Sequence, residues 1–467
     1  MKTISKKKNK YWSIVKKIFF LNFVFSMPAC DSFLEVDLPK SQLTNTTVFQ
    51  DYTTANAAMA DVYAKIRDKG LLTGTQFGLS NQLGNYTDEL TFYGTPTSAT
   101  SGFYTNVILP SNSTVTLFWN NSYNQIYAAN AVLEGVRSST FSTQEKVQLE
   151  GEALFVRALL HFYLLQLFGD IPYIQTTDFR ANSIITKTPS DQVYEHIITD
   201  LKTAEGLLLP SYPNIERIRP NSFVAKALLA RVYLYRGAWE DANKMATALL
   251  ENNSLYVFEN TLSKVFLKNS TETIWQFMPS VAGKNTDEGV LFIFTSGPPT
   301  LVSLSELLMN SFTATDLRKT TWTTMVSKGT LTWYYASKYK EPKVSSTSKE
   351  YSIVLRLTEQ YLIRAEARAV LGNLIGAKED LNKIRKRAGL SDTVANTKEE
   401  ILTAILEERR KEFFTEYGHR FFDLKRMGKL DTVLSIKPGW NTTDGLLPIP
   451  ENELTLNPNL KPQNPGY

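Results

Sequence analysis

Cysteine is all but missing from this chain: Cys30 is the single one among 467 residues. No internal disulfide can form, so the fold has to hold by packing alone. Histidine is nearly as scarce. His161, His196 and His419 fall on separate helical segments, with no spacing that would build a metal site. The sequence has no G-x-S-x-G elbow, no P-loop and no G-x-G-x-x-G. Adjacent acids occur at Asp88–Glu89 and Asp287–Glu288; a glycosidase pair usually comes from residues far apart, so these read as solvated surface groups. These absences argue against an enzyme, and no cofactor is expected, although a structural calcium ion is left open.

Long apolar runs near the start are missing too. Ile18 to Phe25 is a short apolar stretch interrupted by Asn22, well below the about 20 residues that span a bilayer. Ahead of it Lys2, Lys6, Lys7, Lys8, Lys10, Lys16 and Lys17 stand without an acid. A basic segment, a short apolar run and a small residue, Ala29, describe an export signal over 1–29. Cys30 then reads as the lipidated first residue of a mature lipoprotein, its palmitate-type chains giving a stable membrane anchor. Met27 and Pro28 are unusual in a lipobox, and a free cysteine after an ordinary signal peptide is the alternative reading. Removing seven lysines takes the formal charge from +5 to −2. The basic balance therefore belongs to the signal, and a nucleic-acid partner gets no support.

Residues 30–50 are polar and aperiodic, a tether to a body at 51–467. "DYTTANAAMADVYAKIRDKG" predicts a helix ending at Gly70, and the Gly/Thr/Asn-rich text after it predicts loops. Helices resume near Leu117. Ser142 and Glu145 have capping-box spacing, and the helix they start stops at Gly169, apolar nearly all round from Ala153 to Phe168. Pro189 opens another, with Val193, Ile197, Leu201, Ala204 and Leu208 on one stripe. The spacing of Ala230, Gly237 and Ala242 recurs in Ala365, Gly372 and Ala377, close to a tetratricopeptide pattern of paired helices. Between the copies, residues 254–350 read as an insertion of strands and loops, with strands expected at "ETIWQFM" and "GVLFIFTSG" and an extended ribbon from "GTLTWYYASKYK". Residues 351–467 hold the last helices and tail.

Aromatics concentrate where the helices lapse: Tyr86, Phe92, Tyr93, Phe103 and Tyr104 among Asn81, Gln82, Asn85 and Asp88, then Trp322, Trp333, Tyr334, Tyr335 and Tyr339. Flat faces can stack on sugar rings while amides and carboxylates take the hydroxyls. The candidate ligand residues are Trp333, Tyr335, Trp322, Tyr93, Phe92, Tyr104, Asn85 and Asp88, and for each the alternative is local core.

Five stretches in order, "FWNNSYNQIYAANAVLEGV", "GEALFVRALLHFYLLQLFGDIPYI", "VLRLTEQYLIRAEA", "EERRKEFFTEYGHRFFDLKRMGKL" and "LLPIPENELTLNPNLKPQNPGY", resemble the SusD/RagB family of outer-membrane nutrient-binding lipoproteins. The resemblance implies a mainly α fold, a right-handed scaffold of tetratricopeptide-like helix pairs under a loop- and hairpin-rich ligand face. It implies a lipid-anchored protein on the extracellular side, capturing oligosaccharide without altering it and passing it to a SusC-like TonB-dependent transporter. Asp31, Glu35 and Asp37 would suit a surface-export signal. A scaffold that docks the transporter with little ligand affinity, or a binder of peptides, are the alternatives. Glu408, Arg409, Arg420, Asp423 and Arg426 read as ion pairs joining the last helices.

Overall fold

The computed structural model describes residues 48–467, which form one body. The export signal, Cys30, the acids at Asp31, Glu35 and Asp37 and nearly all of the tether lie outside the described residues.

Helices of seven residues or more are numbered in chain order. Asp51 caps α1, Tyr52–Lys69, by accepting the Thr54 amide, and the helix gives out at Gly70. The expected loop region that follows is partly ordered instead. It contains α2, Leu79–Tyr86, strand β1, Leu90–Phe92, and α3, Ala99–Thr105. Helix α2 sets Leu79, Leu83 and Tyr86 on one face, yet its polar face is buried as well. Its amides replace water with backbone: Asn81 Nδ2 and Gln82 Nε2 both donate to the Gln76 carbonyl at 2.7 Å, and Asn85 Nδ2 donates to Asn81.

The scaffold follows. Helices α4, Ser113–Ser138, and α5, Thr143–Phe168, pack side by side; α6, Ser190–Leu207, lies on α5. The capping box at Ser142 and Glu145 forms as expected, and the apolar stretch of α5 is wholly buried, the helix around which the others gather. Ser142→Ala should remove about 1 kcal/mol, read as a lower urea midpoint; an unchanged midpoint would show that burial alone sets where α5 starts. Helices α7, Ser222–Arg236, and α8, Trp239–Leu250, form one hairpin, and α9, Leu357–Val370, and α10, Leu374–Arg387, another. Gly237 and Gly372 turn the chain with φ of 79° and 86°, a region where other residues are strained. Helix α8 packs on α9, so the second hairpin continues the first across the insertion. Helices α11, Lys398–Phe413, and α12, His419–Arg426, are the last long helices, followed by short helical turns to the C-terminus.

Within the insertion, β2, Thr273–Phe277, forms where expected and pairs antiparallel with β6, Ser352–Arg356, so the two ends of the insertion are stitched together. Strands β3, Val302–Leu304, β4, Thr323–Lys328, and β5, Leu331–Ala336, join β1 in a sheet of order β1-β3-β5-β4. The expected strand at "GVLFIF" is a short helix, Asp287–Phe292. Thr286 accepts the Gly289 amide at 3.1 Å and Asp287 and Glu288 occupy the first turn, so capping outweighs the apolar run.

The scaffold and the insertion meet in a buried ionic network. Glu412 of α11 accepts Arg387 at 2.6 Å, Arg356 at 2.8 Å and Arg318 at 3.0 Å. Glu272 takes Arg387 and Arg356, Glu408 and Asp316 take Arg318, and Glu416 takes Arg356 and Lys338. Arg409 and Arg426 share Asp423, as the sequence suggested for the last helices. Glu408 and Arg420 reach further than that, to Arg318 of the insertion and to Asp88.

Candidate ligand cleft

Beside β1 the chain forms an open cleft of about 440 Å³. Its walls are Gln76 and Phe77 from the loop before α2, Phe92 at the end of β1 with Tyr93 to Pro96 after it, Ser98 to Thr100 at the start of α3, and Thr300 and Leu301 before β3. The cleft sits there because β1 and β3 are adjacent: Phe92 pairs with Val302, and the Tyr93 amide donates to the Leu301 carbonyl at 2.8 Å. The Gln76–Phe77 wall is fixed from below by the amides of Asn81 and Gln82, and Gln82 also donates to Thr100 Oγ1 at 2.9 Å. Phe77 and Tyr93 stand out as exposed rings, 46% and 38% accessible, while Phe92 is half buried and anchors its wall in the core beneath the sheet. The Ser98 hydroxyl is buried in the wall and has no hydrogen-bond partner within the protein.

Phe92 and Tyr93 are thus brought together as expected. Tyr104 lies one shell back, its ring 6.1 Å from Phe92 and covered by the Lys437 amine. Trp333 and Tyr335 do share one side of β5, with Tyr334 turned to the core against Leu304. They do not line the cleft. The Trp333 ring lies on Gly297, where a Cβ would meet it at 2.1 Å, and Tyr335 meets Phe294 edge to face at 5.2 Å. The loop from Phe294 to Leu301 therefore covers the two rings at its start and forms the cleft wall at its end.

Other expectations are corrected. Trp322 is fully buried, its indole N–H donated to the Leu262 carbonyl at 3.0 Å and its ring against Phe266, so it is core. Tyr339, Tyr86 and Phe103 are buried as well. Asn85 is closed off inside α2. Asp88 is neither a ligand contact nor a surface acid: Arg420 and Arg410 hold it at 2.9 and 2.7 Å. Burial alone would raise its pKa, but the two guanidiniums keep it below the usual carboxylate range. Its neighbour Glu89 is buried without such a pair, and desolvation, with the Asp88 charge adding to it, pushes its carboxyl up to about 8. Glu288 is likewise buried and raised to about 7, chiefly by desolvation. The sequence reading missed Phe77 and Gln76; the signal available was an aromatic beside an amide in a Gly/Thr-rich loop, "TGTQFG".

A second, more apolar groove of about 620 Å³ runs between Trp119, Tyr127, Phe179 and Leu456. There Asn182 and Asn457 donate their amides to the Thr176 and Ile185 carbonyls, and Asn120 and Asn124 line the groove as well. His161 and His196 stack on either face of Tyr173, at 4.0 and 4.9 Å. His161 accepts the Ile174 amide, and burial pushes its pKa down to about 3, a neutral structural ring. No group of metal-binding side chains occurs among the described residues.

Residues 32–234 match the family described as "Starch-binding associating with outer membrane", and residues 304–467 match the SusD family. SusD-like protein P2 of Formosa agariphila is 28% identical, the match covering 76% of this chain and 81% of that protein. A SusD superfamily protein from Bacteroides vulgatus superposes with a TM-score of 0.77 at 23% identity, over 90% of this chain and all of that one. A laminarin-binding SusD-like protein gives 0.76 at 23% identity, covering 89% and 99%. The helix pairs, the sheet-bearing insertion and these matches agree, and the chain belongs to the SusD/RagB family.

Proposed function

We propose that this chain is a non-catalytic binding protein, tethered by a lipid on Cys30 to the outer membrane and facing outward, which takes up oligosaccharide in the Phe77–Tyr93 cleft and passes it to a SusC-like TonB-dependent transporter. The observation that carries the binding step is the pair of exposed rings, Phe77 and Tyr93, both lining a cleft edged with Gln76, Thr95 and Thr300. Stacking of sugar C–H faces on such rings with a few hydroxyl contacts is what this arrangement offers. The laminarin-binding relative has the same fold, which supports a glycan over a peptide.

Phe77→Ala and Tyr93→Ala test this by calorimetry against a panel of glycans. Each should weaken binding about tenfold, since a stacked ring contributes up to about 1.5 kcal/mol beyond its area burial, while both thermal midpoints stay near the parent's because the rings are exposed. Full retention of affinity in both variants would remove the cleft from the account.

A further inference from the structure

We infer that the cleft accepts an uncharged stretch of glycan and rejects uronate or sulfated sugars. The inference rests on the glycan reading above and adds the chemical class. None of the residues lining the cleft is Asp, Glu, Lys, Arg or His; its polar groups are the amide of Gln76 and the hydroxyls of Tyr93, Thr95, Ser98, Thr100 and Thr300. A carboxylate or sulfate set against Phe77 and Tyr93 would give up part of its hydration with no cation to replace it. Sites that select such groups use guanidinium or ammonium donors.

Charged groups in the neighbouring structure are engaged elsewhere. Lys437 lies behind Tyr104 and donates to the Asn85 and Thr87 carbonyls, and burial, partly offset by Asp88, lowers its pKa to about 7. Asp88 is closed between Arg410 and Arg420. Neither set of groups faces a ligand.

The experiment is calorimetric titration of the purified protein with neutral polymers (laminarin, mixed-linkage β-glucan, dextran, xylan) and anionic ones (alginate, polygalacturonate, carrageenan), each at 20 and 500 mM NaCl. The expected result is binding to at least one neutral polymer, with Kd changing less than twofold between the two salts, and loss of about tenfold in Tyr93→Ala. Binding confined to anionic polymers, falling with salt and lost in Tyr93→Ala, would keep the cleft as the glycan site and overturn its charge preference. Anionic binding that persists in Tyr93→Ala and in Phe77→Ala would overturn both the preference and the cleft. Silence on every polymer would overturn the glycan reading itself, and the preference with it.

Discussion

Glu412→Gln should destabilise this protein by about 3–5 kcal/mol, the cost of removing one partner from a buried ion pair. Glutamine keeps the shape and one carbonyl acceptor, so little of the loss is packing. What disappears is the negative charge that faces Arg387, Arg356 and Arg318, all within 3.0 Å of it and almost wholly buried. Burial by itself would raise the Glu412 pKa; the three guanidiniums reverse that and hold the carboxyl far below its ordinary range. The same carboxylate also joins elements that otherwise share few contacts. Arg318 belongs to the insertion, Arg356 ends β6 and Arg387 ends α10, so the loss should loosen the ligand face from the scaffold. Chemical denaturation of the two proteins side by side measures it. Asp61→Asn, which breaks the exposed Lys65–Asp61 pair, is the control and should stay within about 1 kcal/mol of the parent. A Glu412→Gln protein as stable as the Asp61→Asn protein would mean that the network is too well hydrated to act as buried charge.

What could be read along the chain was what neighbouring residues decide. The Ser142–Glu145 box and Gly169 bound α5, and the small-residue spacing at Gly237 and Gly372 placed both hairpins. Trp333 and Tyr335 fell on one side of β5 because strand alternation is local. What failed depended on distant partners. Asp88 meets Arg410 and Arg420 more than three hundred positions away, so nothing near it in sequence marks it as buried. Helix α2 is only eight residues long, and its stripe of Leu79, Leu83 and Tyr86 does not announce that the opposite Asn and Gln face is buried too, by bonds to backbone. The run "GVLFIF" is ambiguous by period, as short apolar runs are, and the Thr286 cap settled it as a helix. Among the aromatics, type and region were legible but depth was not. Trp322 precedes β4 and turns inward onto Phe266, whereas Phe77, in a loop without period, turns out to solvent.

Glu89→Gln should change the pH dependence of stability in a direction that the burial of Glu89 dictates. The folded-state pKa, about 8, lies above the ordinary value of 4.5 because the carboxyl is desolvated and sits beside Asp88, with Arg420 and the Thr415 amide compensating only in part. A raised carboxyl pKa means that the folded protein holds a proton which the unfolded chain has released between these two values. Stability from this group is therefore fully present below pH 4.5 and is lost as pH rises through about 8. Glutamine cannot ionise, and its amide can donate as the protonated carboxyl does, so the variant should fold and escape the loss. At about 1.36 kcal/mol per pKa unit, the stability of Glu89→Gln relative to the parent should rise between pH 5 and pH 8.5 by an amount bounded at roughly 5 kcal/mol. Other buried groups titrate in the same window: Glu288 is raised to about 7, Lys338 lowered to about 8 and Lys425 lowered to about 7. They are common to both proteins, so taking the difference removes most of their contribution. Urea unfolding of both proteins at half-unit pH intervals gives the comparison directly. A difference that stays flat or shrinks with rising pH would show that water reaches the Glu89 carboxylate.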